Sequence, residues 1–317
     1  MNIPSAKHYQ RQNHLHSLLL LTAMLGLLAL IGWLVIGPEG FFWALAIVLL
    51  IVISGPRLSP YFILHLYRAR LIHPEQAPQL YETFHKLADK SGIEYMPELY
   101  YLPSQILNTF TIGLKKDTCV VISDGLLRSL NDRELAAVLA HEISHIRNHD
   151  LWVMYIADLL SRLTSFLSLF GYLLILLYLP ILIFSEQLIP WLLVIILLLA
   201  PNLSALLQLA LSRTREYNAD LLAAQLTGDP LGLASALNKL DYYQHGWIER
   251  ILLPGHRVLD PSLLRSHPTT QSRIQRLNDI AREYAQHSEN FDKDYSDDWL
   301  NPAPKQKPKK RISGLWY

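Results

Sequence analysis

Long runs without charged side chains dominate the pattern of polar and apolar positions along this chain. Residues 12–38 contain no Asp, Glu, Lys or Arg, and residues 17–36 within them are nearly all apolar. An α-helix needs roughly 20 consecutive apolar residues to cross the hydrocarbon core of a bilayer. The first run therefore predicts a transmembrane helix.

Three further charge-free runs follow, at residues 41–56, 163–184 and 187–212. Glu39 separates the first run from the second, and Glu186 separates the third from the fourth. The run 41–56 is short for a span, but we interpret it as the return leg of a tight hairpin. The pattern predicts four spans arranged as two hairpins.

The basic residues predict how these hairpins are oriented. Neither hairpin tip carries Lys or Arg, whereas the opposite ends of the runs do. Cytoplasmic flanks of membrane proteins are enriched in Lys and Arg. We therefore expect both termini and residues 57–162 on the cytoplasmic side. The basic residues that support this orientation are Lys7, Arg11, Arg57, Arg68, Arg70, Arg147, Arg162, Arg213 and Arg215.

The polar chain between the hairpins predicts a small domain that combines helices with a sheet. Helical periodicity over residues 77–90 precedes three short extended segments, at 99–102, 108–113 and 118–123. The dipeptide Asp124-Gly125 is typical of a turn. A mainly helical protein with a small β-sheet is therefore expected.

A capping box predicts where the next helix begins. Asn131 can accept a hydrogen bond as the N-cap, and Glu134 stands three residues later as its reciprocal partner, so the helix should start near Asp132. Its later turns contain the sequence His141-Glu142-Ile143-Ser144-His145.

The chain after the second hairpin predicts more helices and then a tail. The helices are expected at residues 215–226, 231–244 and 270–286, and the sequence from about 288 is polar and later rich in Pro and Lys. The resulting division is a cytoplasmic flank (1–16), a hairpin (17–56), a first catalytic part (57–162), a second hairpin (163–212), a second catalytic part (213–287) and a flexible tail (288–317).

The composition agrees with an integral membrane protein. Only 17% of residues are charged and 51% are hydrophobic, whereas soluble domains carry roughly 25% charged residues. The net charge of +1 provides no field that would attract nucleic acid. The single cysteine, Cys119, cannot form an internal disulfide, which suits a reducing compartment.

The pattern His141-Glu142-Ile143-Ser144-His145 can bind a metal ion. Residues four apart lie on one face of a helix, so both imidazoles can reach the same ion. Zinc prefers nitrogen, sulfur and carboxylate ligands, and a catalytic zinc keeps one position open for water. Glu142 lies beside that face, where it can accept a proton from the attacking water.

The third ligand must come from elsewhere in the chain. Position 151 is Leu, so the short-spacing His of some HExxH proteins is missing, and Glu216 is the alternative, with Asp220 one turn later. A zinc-binding His commonly donates its second ring N–H to a carboxylate, and Asp220 suits that task. Two spans lie between His145 and Glu216, so both would be on the same side of the membrane.

Together these features resemble the HtpX-type membrane zinc endopeptidases, a group related to the CAAX prenyl proteases. The resemblance covers about residues 15–285. It rests on the four-span layout and on four segments: His141-Glu142-Ile143-Ser144-His145, Ser212-Arg213-Thr214-Arg215-Glu216-Tyr217-Asn218-Ala219-Asp220, Asn108-Thr109-Phe110-Thr111-Ile112-Gly113 and Ser266-His267-Pro268-Thr269.

The resemblance implies a gluzincin-like fold with one zinc ion per chain. It implies His141, His145 and Glu216 as ligands and Glu142 as the general base. It also suggests that Asn108 lies where an extended substrate pairs with a strand edge. By the same resemblance, His267 would donate a hydrogen bond to the oxyanion of the transition state.

The chain departs from the family's pattern in the strand segment and in the His-Pro segment. Thr109 and Thr111 stand where the family has small residues, and Thr269 replaces a second proline. We expect these differences to affect substrate preference rather than metal binding.

The sequence therefore predicts a zinc metalloendopeptidase in the bacterial inner membrane, with its active site in the cytoplasm. The resemblance implies a role in quality control and stress response, with damaged or misassembled membrane proteins or unfolded polypeptides as substrates. The alternatives are a membrane adaptor that kept the fold without catalysis, a protease of CAAX-type prenylated peptides, and a transporter. A transporter would need ionisable residues within the spans, and residues 17–36, 41–56, 163–184 and 187–212 contain no Asp, Glu, Lys, Arg or His.

Overall fold

The computed structural model of the chain describes residues 4–54, 60–184, 191–251 and 270–300. Most of these residues are helical, and a single four-stranded sheet lies among the helices. The prediction of a mainly α-helical protein with a small sheet is confirmed.

Four long apolar helices form the hydrophobic bundle. They are α1 (Pro4–Ile36), α2 (Pro38–Ser54), α7 (Asp150–Phe184) and α8 (Trp191–Thr227). Three segments have the length and composition of membrane spans, namely Arg11–Ile36, Asp150–Pro180 and Trp191–Thr227, and Pro38–Leu50 is a shorter apolar helix. The span within α2 stays a prediction, and the tip at Glu186 lies outside the described residues.

Helices α1 and α2 form a tight hairpin because glycines allow their backbones to touch. A Cβ atom added to Gly40 would lie 2.0 Å from the carbonyl oxygen of Gly32, so a larger residue there would push the two helices apart. Buried residues of all four helices then form one core, in which Met24, Val48 and Leu160 take part. Helix α2 packs mainly against α1.

The strands of the sheet are β1 (Arg70–Leu71), β2 (Glu98–Leu102), β3 (Thr109–Ile112) and β4 (Cys119–Ser123). They lie in the order β1-β2-β4-β3. Strand β2 pairs parallel with β4, and β1 and β3 are antiparallel edge strands. The three predicted extended segments are therefore strands. Strand β1 was not predicted, because two residues are too few to show an alternating pattern.

Two short helices also escaped the sequence analysis, α3 (Pro60–Leu66) and α5 (Asp124–Ser129). The second of these begins where Asp124-Gly125 predicts a turn, so that prediction is wrong. Ser123 caps the helix, because its hydroxyl accepts a hydrogen bond from the backbone N–H of Leu126 at 3.2 Å.

Helices α4 (Pro78–Ser91) and α6 (Asp132–Arg147) follow the sequence closely. At the start of α6 the side chain of Asn131 accepts from the backbone N–H of Glu134 at 2.9 Å. The Glu134 carboxylate in turn accepts from the Asn131 N–H at 3.0 Å. The predicted capping box is present.

Helices α7 and α8 extend beyond the predicted spans into the polar part of the protein. We predicted a separate helix at 215–226, but α8 is one helix from Trp191 to Thr227, because neither Gly nor Pro interrupts residues 202–227. One hydrophobic core joins both polar parts of the chain, with Leu99 and Ile143 from the first part and Leu222 and Leu277 from the second.

Two further helices complete the described chain, α9 (Pro230–Ile251) and α10 (Thr270–Leu300). Helix α10 continues to Leu300, beyond residue 288 where the tail is predicted to begin, and the flexibility of that tail stays a prediction. The first half of α10 packs into the core through Leu277 and Ile280. Once a helix has formed, adding a further residue to its end costs little free energy, so a polar sequence can extend it. Residues 301–317 lie outside the described residues.

Candidate metal centre

Helix α6 brings His141 and His145 together one turn apart. Their ring centroids are 4.6 Å apart, and their Nε2 atoms are separated by 3.1 Å. His141 is buried and His145 is nearly so. The two nitrogens therefore point at the same small space, as their spacing on a helix predicts.

Helix α8 adds the carboxylate of Glu216 to this space. One carboxylate oxygen lies 3.4 Å from Nε2 of His141, and the other lies 3.7 Å from Nε2 of His145. Glu216 is only 6% exposed. The ligand atoms of these three residues lie within 4.8 Å of one another, so the group could hold a metal ion.

The distances between the two nitrogens and the oxygens of Glu216 are close to those of a tetrahedral site. With metal–ligand bonds of about 2.0–2.1 Å, the edge of a tetrahedron is about 3.3–3.4 Å. The two Nε2 atoms are 3.1 Å apart, and each has a different oxygen of Glu216 nearby, at 3.4 Å from His141 and 3.7 Å from His145. Two imidazole nitrogens and one carboxylate also match the donor set of a catalytic zinc site with one position left for water.

The other ring nitrogen of His141 faces a carboxylate, as the sequence analysis predicts for Asp220. Its Nδ1 atom lies 3.1 Å from Oδ1 of Asp220. Asp220 is itself held by Arg273 of α10, which donates two hydrogen bonds to its carboxylate at 2.7 and 2.6 Å. This chain of contacts orients the His141 ring with Nε2 toward the shared space.

His145 has an equivalent partner that the sequence analysis did not identify. Its Nδ1 atom lies 2.8 Å from Oδ2 of Asp150, and Asp150 forms a buried ion pair with Arg215. Arg215 also donates to the carbonyl of Asn148 at 2.9 Å. Asp150 begins α7, and its carboxylate orients a candidate ligand.

The charges around the centre favour a cation. Four buried carboxylates, from Glu142, Glu216, Asp150 and Asp220, are accompanied by two buried guanidinium groups. When all are ionised, these six side chains carry a net charge of two negative, which a divalent ion would balance. A buried charge without such compensation is costly.

The pKa values of the two histidines reflect these carboxylates. Burial alone would lower the pKa of His141, but Asp220 and Glu216 outweigh burial and raise it to about 10. Burial also opposes the charge of His145, and its hydrogen bond with Asp150 helps to raise its pKa. Both imidazoles therefore lie where a positive charge is stabilised.

Asp220 shows the opposite balance. Burial would raise the pKa of its carboxyl group, but the charge of Arg273 and the contact with His141 lower it. The carboxylate form is thus the one that faces Nδ1 of His141, and an ionised carboxylate is an acceptor of hydrogen bonds.

Arg273 is a further residue of the centre that the sequence analysis missed. Besides its contacts with Asp220, its Nη1 lies 3.0 Å from Oε2 of Glu216. The sequence could have indicated a buried arginine here, because Arg273 lies on the same helical face as Leu277 and Ile280, which are buried. A charged residue in line with core residues needs a buried partner.

Glu142 lies beside the two histidines and is buried at 7% exposure. Its carboxylate accepts a hydrogen bond of 2.6 Å from the hydroxyl of Thr111 on β3. Asn108 directly precedes this edge strand, and its backbone N–H and carbonyl both bond to Ser123 of β4. His267 lies outside the described residues.

Comparisons with known proteins agree with this geometry. Residues 74–281 match the model of peptidase family M48. The chain is 35% identical to a protease HtpX homolog of Desulfatibacillum aliphaticivorans, which covers 84% of this chain and 89% of that protein. It is 34% identical to a protease HtpX homolog of Pyrococcus furiosus, over 84% of this chain and 95% of that protein.

A solved structure is also similar. Ste24p of S. mikatae matches 85% of this chain and 66% of its own, with 24% identity and a TM-score of 0.47.

Three helices of the bundle are long and apolar enough to cross a membrane, and the buried His, His and Glu group could hold a metal ion. The chain belongs to peptidase family M48, and it is a membrane metalloendopeptidase. The predicted resemblance to HtpX-type enzymes is confirmed.

Proposed function

We propose that this protein is a zinc-dependent endopeptidase whose zinc is held by His141, His145 and Glu216. The observation that carries the proposal is the convergence of two Nε2 atoms and one carboxylate at tetrahedral spacing. Each imidazole has its second nitrogen next to a buried carboxylate. This is the arrangement that gives a metal-binding His its orientation and basicity.

Different residues of the chain would have different roles in peptide hydrolysis. Bound zinc would supply Lewis acidity, which polarises the scissile carbonyl and makes the attacking water more acidic. Glu142 accepts the proton of that water and passes it to the leaving amine. His267 donates a hydrogen bond to the oxyanion, as the resemblance implies.

Substrate binding follows from the position of β3 at the edge of the sheet. One side of an edge strand has unpaired backbone groups, which can pair with an extended peptide. Asn108 stands at the start of this strand and Glu142 contacts its third residue, Thr111. We propose that the peptide lies along β3, with its scissile bond next to the zinc.

The substrates are proposed to be damaged or misassembled membrane proteins and unfolded polypeptides reached from the cytoplasm, within a quality-control and stress-response role. The helices that carry the centre support this proposal, because α8 runs without a break from the apolar bundle to Glu216 and Asp220. The adaptor alternative is not favoured, since binding alone would not need the complete set of ligands and base. No contact among the described residues favours prenylated peptides.

Metal removal and return is the direct test of this function. The full-length protein, purified in detergent and stripped with a chelator, should not cleave an unfolded model protein such as casein. One equivalent of zinc per chain should restore cleavage, because the centre has three protein ligands and a fourth position for water. Cleavage by the metal-free protein would overturn the proposal, and so would inactivity after zinc is shown to have bound.

The proposed orientation predicts which positions are accessible from outside the cell. Cysteines introduced at residues 39 and 186 should react with an impermeant thiol reagent in intact cells. A cysteine at the exposed position Glu75 should react only after permeabilisation. Cys119 is fully buried and should contribute no background. Labelling of a cysteine at residue 300 in intact cells would contradict the orientation.

A further inference from the structure

The edge strand β3 carries a hydroxyl group that contacts the carboxylate of Glu142. Phe110 and Ile112 pack against the hydrophobic cluster on one side of the sheet. Alternate side chains of a strand point to opposite faces, so Thr111 points to the other side, where α6 lies. Its hydroxyl donates to Oε2 of Glu142 at 2.6 Å.

This hydrogen bond is formed between two buried groups. Thr111 is 9% exposed and Glu142 is 7% exposed, so water competes with the bond only weakly. A branched Cβ also restricts the rotation of the threonine side chain about χ1. Backbone pairing of Thr111 with Val120 fixes the position of the residue in the sheet. The donor is therefore held in one place relative to α6.

We propose that Thr111 is a positioning residue for the general base, in that its hydroxyl holds one oxygen of Glu142 and leaves the other to accept the proton of the attacking water. The inference rests on the proposed role of Glu142. A glutamate has three side-chain torsions, and without a fixed partner its carboxylate can turn away from the water.

The hydrogen bond fixes the direction from which the base approaches the water. Displacement of a catalytic group by about 1 Å can cost as much as a hundredfold in rate. We therefore expect loss of the hydroxyl to lower the rate.

The test compares Thr111→Val, Thr111→Ala and Thr111→Ser in the full-length protein, each loaded with zinc and assayed per bound zinc. Val keeps the shape and removes the hydroxyl, Ala removes the hydroxyl with less bulk, and Ser keeps the hydroxyl. We expect Val and Ala to lower kcat by about tenfold with little change in KM. Ser should retain most of the wild-type kcat. A wild-type kcat in both Val and Ala would overturn the proposal.

Two further measurements separate positioning from a general structural effect. Thr118→Val is the matched control, because Thr118 is also buried but donates to the backbone carbonyl of Lys115. Its kcat should be unchanged. In a Glu142→Gln background, Thr111→Val should cause no further loss of the residual rate, since the base through which it acts is gone. A full additional tenfold loss in that background would overturn the inference.

These outcomes are distinct from failure of the proposed function. If Glu142→Gln cleaves at the wild-type rate, the role of Glu142 as base is wrong and the inference about Thr111 fails with it. If Glu142→Gln is inactive while Thr111→Val and Thr111→Ala are fully active, only the inference about Thr111 is wrong.

Discussion

Replacement of Glu142 by Gln is expected to reduce turnover on the order of a hundredfold or more while zinc and the fold are retained. Gln has nearly the same shape and can still accept the hydrogen bond from Thr111 through its carbonyl oxygen, but it cannot accept the proton of the attacking water at neutral pH. Steady-state cleavage of an unfolded protein, together with metal analysis of the same sample, measures both properties. Any self-cleavage of the wild type should also stop, so the variant should accumulate intact.

Glu82→Gln provides the matched control for this experiment. Glu82 is exposed on α4 and pairs only at the surface with Lys86, so the same substitution there should leave turnover unchanged. The hydrolytic mechanism is wrong if zinc-loaded Glu142→Gln cleaves at close to the wild-type rate.

Substitution of a proposed zinc ligand should have a different signature. His145→Ala and Glu216→Ala should each lose most of the bound zinc, and activity should disappear with it, because two remaining ligands hold zinc far less tightly than three. The wild type should hold about one zinc per chain when measured by elemental analysis. Full zinc occupancy in Glu216→Ala would remove Glu216 from the centre.

A conservative change at Asp150 should cause a smaller loss of zinc affinity than removal of a ligand. Asp150→Asn leaves the three ligands in place but weakens the partner of His145, and loss of such a partner typically costs 10- to 100-fold in metal affinity. Competition with a zinc chelator measures that affinity. His85→Ala, at an exposed position on α4, is the control and should bind zinc as the wild type does. Wild-type affinity in Asp150→Asn would mean that its contact with His145 does not support the metal.

Local patterns in the sequence were sufficient to predict the helix that carries the two histidines. The start of α6 depends on a capping box within four residues, and the placement of His141 and His145 depends only on the helical repeat. Glu216 and Asp220 could be predicted for the same reason, since they are one turn apart on α8. The apolar runs predict membrane helices because length and hydrophobicity are properties of each segment by itself.

Where a helix ends was harder to predict than where it lies. The spans were expected to stop at the last apolar residue, yet α7 starts at Asp150 and α8 continues to Thr227. Helix α10 likewise continues into a polar sequence. A charged residue indicates that the chain has left the apolar environment, but it does not indicate that the helix has ended. A helix continues through backbone hydrogen bonds, which polar residues form equally well.

Local sequence patterns were enough to predict the apolar helices, the strands around β4, and the residue types that could hold and use a metal ion. The side chains that support those residues became visible only once the helices and strands were packed together. They are Arg273 next to Asp220, Asp150 next to His145 and Thr111 next to Glu142. Two of these three contacts, those of Arg273 and Thr111, join residues far apart in the chain, and no periodic pattern links such residues. The partner of a buried polar group is set by the elements that packing brings next to it, and that packing is a property of the whole fold.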